Sequence, residues 1–153
     1  MPGAEQQVDF YVLEDASGGV RLRTACRIVE KAYLADSRVL VWLADPEQLR
    51  AFDELLWTFG DRSFVPHELL QPGANQEAPV LLSIEAVPTA PVDVIVNLAP
   101  DVPPCAPLAP RIIEIVDGDA DRRQAGRARF RAYKERGLQP SSHNIGSDSQ
   151  ATS

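Results

Sequence analysis

The sequence contains little of the chemistry from which most metal and disulfide sites are built. Of its 153 residues only two are Cys and two are His, and they lie far apart. The chain therefore provides neither a disulfide framework nor the clustered ligands of a structural zinc site. No apolar run approaches the roughly 20 residues that span a bilayer, and residues 1–7 lack the basic and apolar segments of a secretory signal. We expect a cytoplasmic protein without a bound metal or a membrane segment.

Catalytic motifs are missing as well. The segment 14–23, after the first predicted strand, has neither the G-x-x-x-x-G-K-[ST] nor the G-x-G-x-x-G phosphate loop, and no G-x-S-x-G occurs. Cys26 falls on the apolar face of a predicted helix, and Cys105 lies between prolines without a cation that would activate it. We expect a non-catalytic binding module that uses no cofactor. An enzyme working in an α/β crevice stays open as a hypothesis that rests on fold analogy alone.

Strand and helix patterns alternate along the chain. Short apolar runs rich in β-branched residues predict strands over 8–13, 38–43, 80–84, 92–98 and 111–116. Apolar residues at helical spacing predict helices over 22–33, 46–57 and from the 117–121 turn to Gly137. This order predicts one α/β domain over 1–138, with a mostly parallel sheet and helices on both faces.

Two segments lie outside that pattern. Residues 99–110 carry five prolines and are expected to form a stiff connection. Residues 139–153 are small and polar, with almost nothing to bury, so we expect a flexible tail that could not hold His143 in place.

Charge is distributed unevenly. The net charge of −7 disfavours general binding to nucleic acid, which is itself a polyanion. Residues 122–136 nevertheless hold seven of the fifteen basic residues and a single acid, Glu135. This local reversal of sign marks the last helix as a candidate binding element.

One face of that helix combines cations with an aromatic ring. At the helical step of about 100° per residue, four cations and one phenylalanine fall within an arc of about 100°. They are Arg123, Arg127, Phe130, Arg131 and Lys134. The far side carries Ala125, Ala128 and Ala132, which we expect to pack against the sheet. A solvated charge face is the plain alternative, but few acids partner these cations, and a ring among guanidinium groups suits a ligand that is both apolar and anionic.

A second candidate surface follows the second helix. Trp57 ends that helix, and Phe64-Val65-Pro66-His67 follows after a polar turn. Both aromatics could simply be core residues, and the sequence alone favours that reading. Trp and Phe beside a loop proline are also typical of a protein–protein hot spot.

Three motifs in register resemble one protein family. They are Val8-Asp-Phe-Tyr-Val-Leu13, Leu55-Leu-Trp57 with Ser63-Phe-Val-Pro-His67, and Ala128-Arg-Phe-Arg-Ala-Tyr-Lys134. Over roughly 8–138 the chain resembles the chi subunits of bacterial DNA polymerase III holoenzyme. The resemblance implies a single Rossmann-like domain of helicase-like topology without a nucleotide site.

The resemblance also implies a role in DNA replication. Chi subunits are accessory subunits that pair with the psi subunit, which links them to the clamp loader, and they bind the acidic C-terminal tail of single-stranded DNA-binding protein. A helicase-type partner is thought to compete with psi for its surface. By position, the tail site would comprise Arg123, Arg127, Phe130, Arg131, Tyr133 and Lys134. The psi site would comprise Trp57, Phe64, Val65, Pro66 and His67. The alternative is a module that binds nucleic acid directly through the basic last helix.

Overall fold

Parallel strands form a single sheet in the computed structural model, which describes residues 6–60, 64–71 and 76–145. In this part of the chain the strands are β1 Gln7–Leu13, β2 Val39–Trp42, β3 His67–Leu69, β4 Val80–Ser83, β5 Val94–Asn97, β6 Arg111–Val116 and β7 Ser141–Ile145. Their spatial order is β3-β4-β2-β5-β6-β1-β7, and every neighbouring pair is parallel. The predicted parallel α/β sheet is confirmed.

Helices cover both faces of this sheet, as predicted. The helices are α1 Gly18–Leu34, α2 Pro46–Thr58 and α3 Ala120–Glu135. Successive residues of β6 point to opposite faces. Ile113 and Ile115 join the apolar core beneath α1 and α2, whereas Ile112 and Val116 join the core beneath α3. α3 therefore packs alone on the face opposite the other two helices.

The helix boundaries coincide with residues that favour helix ends. Asp45 accepts a hydrogen bond from the Gln48 amide at 2.8 Å, and Pro46 occupies the first turn of α2. Gly137 follows α3 with a φ of +88°, a left-handed conformation that favours glycine.

The proline-rich connection of residues 99–110 covers part of the sheet on the α3 face. It contains one short 3₁₀ turn, Ala106–Leu108, and otherwise no helix. Cys105 and Ala109 pack with Leu40 and Ile95 in a small apolar cluster of their own. This loop therefore connects the parallel strands β5 and β6 and covers the sheet there, as a crossover helix does elsewhere in the fold.

The structure corrects the expected flexible tail. Ser141–Ile145 form β7, which pairs in parallel with β1 along the edge of the sheet. The sequence Ser-Ser-His-Asn-Ile has no apolar alternation, so side-chain pattern could not reveal it. The strand is held by backbone pairing and by His143, whose ring stacks on Tyr11 with centroids 5.2 Å apart and lies 3.1 Å from Asp9 Oδ1. The remainder of the predicted tail, 146–153, lies outside the described residues, as do residues 1–5, 61–63 and 72–75.

Candidate partner-binding sites

A groove of about 430 Å³ runs between α3 and the β1–β7 edge of the sheet. Its floor is apolar and consists mainly of Phe10 and Val12 from β1 with Val116 from β6. Its wall is the α3 stripe, and Ser142 of β7 borders the opposite side. We call this the basic groove; α3 contributes Arg123, Gly126, Arg127, Phe130, Arg131 and Lys134 to it.

The predicted cationic stripe therefore faces a concave surface rather than open solvent. Phe130 is partly buried and packs on Phe10, with ring centroids 5.1 Å apart. Arg127, Arg131 and Lys134 are exposed, and the Lys134 ammonium lies 5.7 Å from the centre of the Phe130 ring. No carboxylate of the described residues lies within ion-pair distance of these three cations. The groove thus combines an apolar floor with unneutralised positive charge at its rim.

Arg123 stands apart from the other groove cations. Its Nε donates to the Asp117 carbonyl at 3.2 Å, and its Nη2 lies 3.4 Å from the Leu13 carbonyl. Part of its donor capacity is therefore used inside the protein, at the end of the groove near the carboxyl ends of β1 and β6. We expect Arg123 to contribute less to ligand binding than Arg127 or Arg131.

A buried polar network fixes how α3 sits on the sheet. Glu114 of β6 is fully buried, and its carboxylate accepts from Arg129 Nε at 2.8 Å and from the Tyr133 hydroxyl at 2.7 Å. The Asn97 amide lies 3.0 Å and 3.1 Å from the two oxygens. Arg129 also donates to the Pro100 carbonyl at 2.9 Å. The carboxylate is therefore supplied with donors from one neighbouring strand, β5, and from α3.

The same network accounts for the titration of its members. Burial raises the pKa of Glu114, while the attraction of Arg129 and the hydrogen bonds from Tyr133 and Asn97 oppose that rise. Burial and the Glu114 charge raise the pKa of Tyr133, so its hydroxyl remains a donor. Arg129 and Tyr133 thereby hold the rotation of α3 that turns Arg127 and Arg131 to the groove.

The structure corrects the predicted packing face of α3. Gly126, Arg129 and Tyr133 are buried against the sheet, whereas Ala128 is exposed. The α3 backbone approaches so closely at Gly126 that an added Cβ would lie 2.8 Å from a Val116 methyl. The expectation that the alanines face the sheet was wrong because Glu114 provides a buried hydrogen-bond partner for Arg129 and Tyr133. Helical spacing cannot show such a partner on another element.

Tyr133 accordingly has no place in the predicted tail-binding surface. It is fully buried, and its hydroxyl is engaged by Glu114. Its part in the groove is to anchor α3. Sequence reasoning also missed Phe10, Val12 and Ser142; the alternation within β1 would have placed the first two on the α3 face.

The second surface is an exposed aromatic pair, Trp57 and Phe64. The two side chains are 45% and 64% exposed, and their ring centroids lie 5.4 Å apart. Trp57 occupies the last turn of α2, and Phe64 precedes β3 at the edge of the sheet. The reading that favoured both aromatics as core residues is therefore wrong. Large apolar side chains left in contact with water are typical of a protein-binding surface.

The neighbours of the exposed aromatic pair have different roles. Val65 is fully buried in the main core, and the His67 side chain is fully buried behind Trp57. The prediction that both side chains contact a partner is therefore wrong. Pro66 is partly exposed. Val65 and His67 instead anchor the segment that presents Phe64.

The crevice at the carboxyl ends of the strands is occupied by the chain's own side chains. Arg21 of α1 donates to the carbonyls of Ile115 and Leu98 at 3.1 Å and 2.8 Å, and burial lowers its pKa to about 10. Arg122 binds Asp117 at 2.8 Å and the Ala16 carbonyl at 3.2 Å. These contacts fill the place where a phosphate loop would sit in a nucleotide-binding relative of this fold.

Among the described residues, no three His, Cys, Asp or Glu side chains come together in a group that could hold a metal ion. Over the same residues, no helix has both the length and the apolar character needed to cross a membrane.

The fold is shared with part of a larger protein of known structure. The chain aligns with S. cerevisiae Dbp5, solved bound to RNA and ADP BeF3, at a TM-score of 0.59 and 12% identity. The alignment covers 97% of this chain and 43% of that one. At this identity the likeness concerns the fold alone, and it agrees with the helicase-like topology that the family resemblance implied.

Comparison at the sequence level is more specific. The chain is 37% identical over 139 residues to DNA polymerase III subunit chi of Pseudomonas aeruginosa, which covers 91% of this chain and 96% of that protein. It is 27% identical over 135 residues to the chi subunit of Escherichia coli, covering 84% and 91%. The family model described as DNA polymerase III chi subunit, HolC, matches residues 6–141. Since this match spans all three motifs and every strand except most of β7, the chain belongs to the family of DNA polymerase III chi subunits.

Proposed function

We propose that this chain, as an accessory and non-catalytic subunit in bacterial DNA replication, connects DNA polymerase III to single-stranded DNA-binding protein. The basic groove is the dock for the acidic C-terminal tail of single-stranded DNA-binding protein. The exposed aromatic pair is the dock for the psi subunit, through which the chain joins the clamp loader, and a helicase-type partner would compete for the same pair.

The observation that carries the tail assignment is the composition of the basic groove. An acidic peptide that ends in an apolar side chain and a free carboxylate needs an apolar seat beside positive charge. Phe10, Val12 and Phe130 supply the seat, and Arg127 and Arg131 supply the charge. Arg side chains can bind a carboxylate through two parallel hydrogen bonds, and capture of a terminal carboxylate is a recurring mode of peptide recognition.

The observation that supports psi binding is the exposure of Trp57 and Phe64. Protein interfaces are held mainly by a few large aromatic anchors surrounded by polar residues. This pair lies at the β3 edge of the sheet, away from the basic groove at the β7 edge. A partner bound there leaves the groove free.

The tail assignment is tested by fluorescence anisotropy with a labelled acidic peptide that ends in Phe and a free carboxylate. We expect a Kd in the micromolar range at low salt, and weaker binding as salt screens the charges. Arg131→Ala and Arg127→Ala should each weaken binding about tenfold, the effect of losing about 1.4 kcal/mol of charge-assisted hydrogen bonding.

Two matched controls separate recognition from general charge attraction. Arg136→Ala removes the same charge from the end of α3, outside the groove lining, and should leave the Kd within about twofold. Amidation of the peptide's C-terminus should weaken binding as much as loss of one groove arginine. Absence of binding at low salt, or equal losses for Arg131→Ala and Arg136→Ala, would contradict the assignment.

The same variants address direct binding of nucleic acid. Arg122 and Arg129 of α3 form ion pairs with Asp117 and Glu114 inside the protein. The basic patch that remains is small, and the chain as a whole is acidic. We expect labelled single-stranded DNA to bind far more weakly than the peptide. Tight DNA binding that depends on Arg127 and Arg131 would favour the direct-binding alternative instead.

The psi assignment is tested by calorimetric titration of purified psi subunit. Phe64→Ala removes an exposed anchor and should weaken binding at least about tenfold, as expected for a hot-spot aromatic. Leu108→Ala is the control, because Leu108 is also an exposed apolar residue, at 49%, but lies on the 99–110 connection. Equal affinities for wild type and Phe64→Ala would refute the assignment.

A further inference from the structure

The imidazole of His67 lies between two hydrogen-bond acceptors. Its Nε2 is 2.8 Å from Oδ1 of Asp53, and its Nδ1 is 2.7 Å from the carbonyl oxygen of Val65. A carboxylate and a carbonyl only accept, and a neutral imidazole has only one N–H to donate. A ring that satisfies both contacts therefore carries two N–H protons and a positive charge.

We propose that His67 is held as an imidazolium cation and that this cation is the positioning group for Trp57. The indole and imidazole centroids are 4.3 Å apart, within the distance at which a cation is attracted to an aromatic ring. Asp53 and Trp57 are four residues apart on α2 and therefore share one face of that helix. The carboxylate holds the imidazolium, and the imidazolium holds the indole.

Asp53 is the carboxylate that binds His67, and the described residues of β3 and β4 add no second one. Glu68, the next residue of β3, has its Oε2 turned to the Ala78 amide at 2.8 Å. β4, which pairs with β3, has the sequence Val-Leu-Leu-Ser and offers no charged side chain. The His67 side chain is fully buried, whereas the Asp53 side chain is 33% exposed.

This arrangement fixes one member of the exposed aromatic pair, because the ring that seats the Trp57 indole is itself held at both nitrogens. That this matters for a partner rests on the proposed docking of psi; the protonation and the seating of the indole do not.

The test is nitrogen-15 NMR of the histidine side chains in the full-length protein at pH 7. The shifts of the two ring nitrogens distinguish a ring with two N–H groups from either neutral tautomer, and His143→Asn removes the other imidazole from the spectrum. We expect two N–H groups on His67 and a nuclear Overhauser contact between its ring and the Trp57 indole. Asp53→Asn should reduce His67 to one N–H and at least halve that contact. Glu54→Gln, the same chemical change at an exposed neighbour on α2, should alter neither.

The outcomes are separable from those of the proposed function. A single N–H on His67 in the wild type would overturn the proposal, as would an indole contact that Asp53→Asn leaves unchanged. Two N–H groups on His67 in the wild type, together with a displaced indole in Asp53→Asn, would support the proposal even if psi failed to bind. That failure would count against the psi assignment alone. Where psi binds, its affinity should fall about fivefold for Asp53→Asn and stay level for Glu54→Gln.

Discussion

Replacing Tyr133 with phenylalanine tests whether the Glu114 network anchors α3. The change deletes a hydroxyl that donates to a fully buried carboxylate at 2.7 Å, and it keeps the ring, whose centroid lies 6.0 Å from that of Phe10. No cavity larger than one oxygen atom results, so the measured loss reports the hydrogen bond rather than packing.

The expected magnitude follows from the remaining donors. A hydrogen bond to a charged group contributes about 1.5–3 kcal/mol. Glu114 keeps its hydrogen bonds with Arg129 and Asn97, so its carboxylate is not left without a partner. We therefore expect the free energy of unfolding to fall by about 2 kcal/mol, in the lower half of that range. In a chain of 153 residues this lowers Tm by about 4–8 °C.

The assay is urea unfolding followed by circular dichroism, with Tyr33→Phe as the matched control. Tyr33 is partly buried on α1, and its hydroxyl makes no hydrogen bond to any described residue, so its loss should change the free energy of unfolding by less than about 0.5 kcal/mol. If Tyr133→Phe were as harmless as the control, the network would not be what fixes α3, and the argument for the orientation of Arg127 and Arg131 would fail.

Two further predictions concern parts of the fold outside the network. Burial raises the pKa of Cys26 to about 12 and also raises that of Cys105, so almost no thiolate is present at pH 8. A thiol reagent should therefore label neither cysteine in the native protein and both in denaturant; prompt native labelling would contradict the burial. Removal of residues 141–153 deletes β7 and should lower the free energy of unfolding by about 1–3 kcal/mol, as five backbone pairs and the stacking of His143 on Tyr11 are lost. An unchanged urea midpoint would mean that β7 does not form in solution.

The elements that the sequence predicts well are those in which local pattern and packing agree. β6 reads Arg-Ile-Ile-Glu-Ile-Val and is buried on both faces, so its apolar run marked it correctly. α2 carries its own start signal in Asp45-Pro46 and was found within a residue of its observed end. In both cases no partner far along the chain was needed to make the prediction.

The errors arise where a distant residue changes the meaning of a local one. Arg129 was one of the seven basic residues that mark the last helix as charged, but Glu114, fifteen positions earlier, makes its burial possible. Phe64 looked like core, but the observed edge position of β3 leaves it in water. β7 looked like a polar tail because its stability derives from the open edge of β1 and not from its own side chains. Each of these depends on tertiary pairing, which periodicity does not encode.

The strand order has a consequence for how two partners can be held together. β3 and β7 are the two outermost strands, and six intervals of about 4.8 Å separate them by about 29 Å. Ligands seated at opposite margins of one rigid sheet share no contacts, so each should bind with an affinity indifferent to the other. The gain from occupying both sites is then one of local concentration. While the chain stays bound to one ligand, it keeps its other site close to the second ligand, which rebinds after dissociation before it can diffuse away.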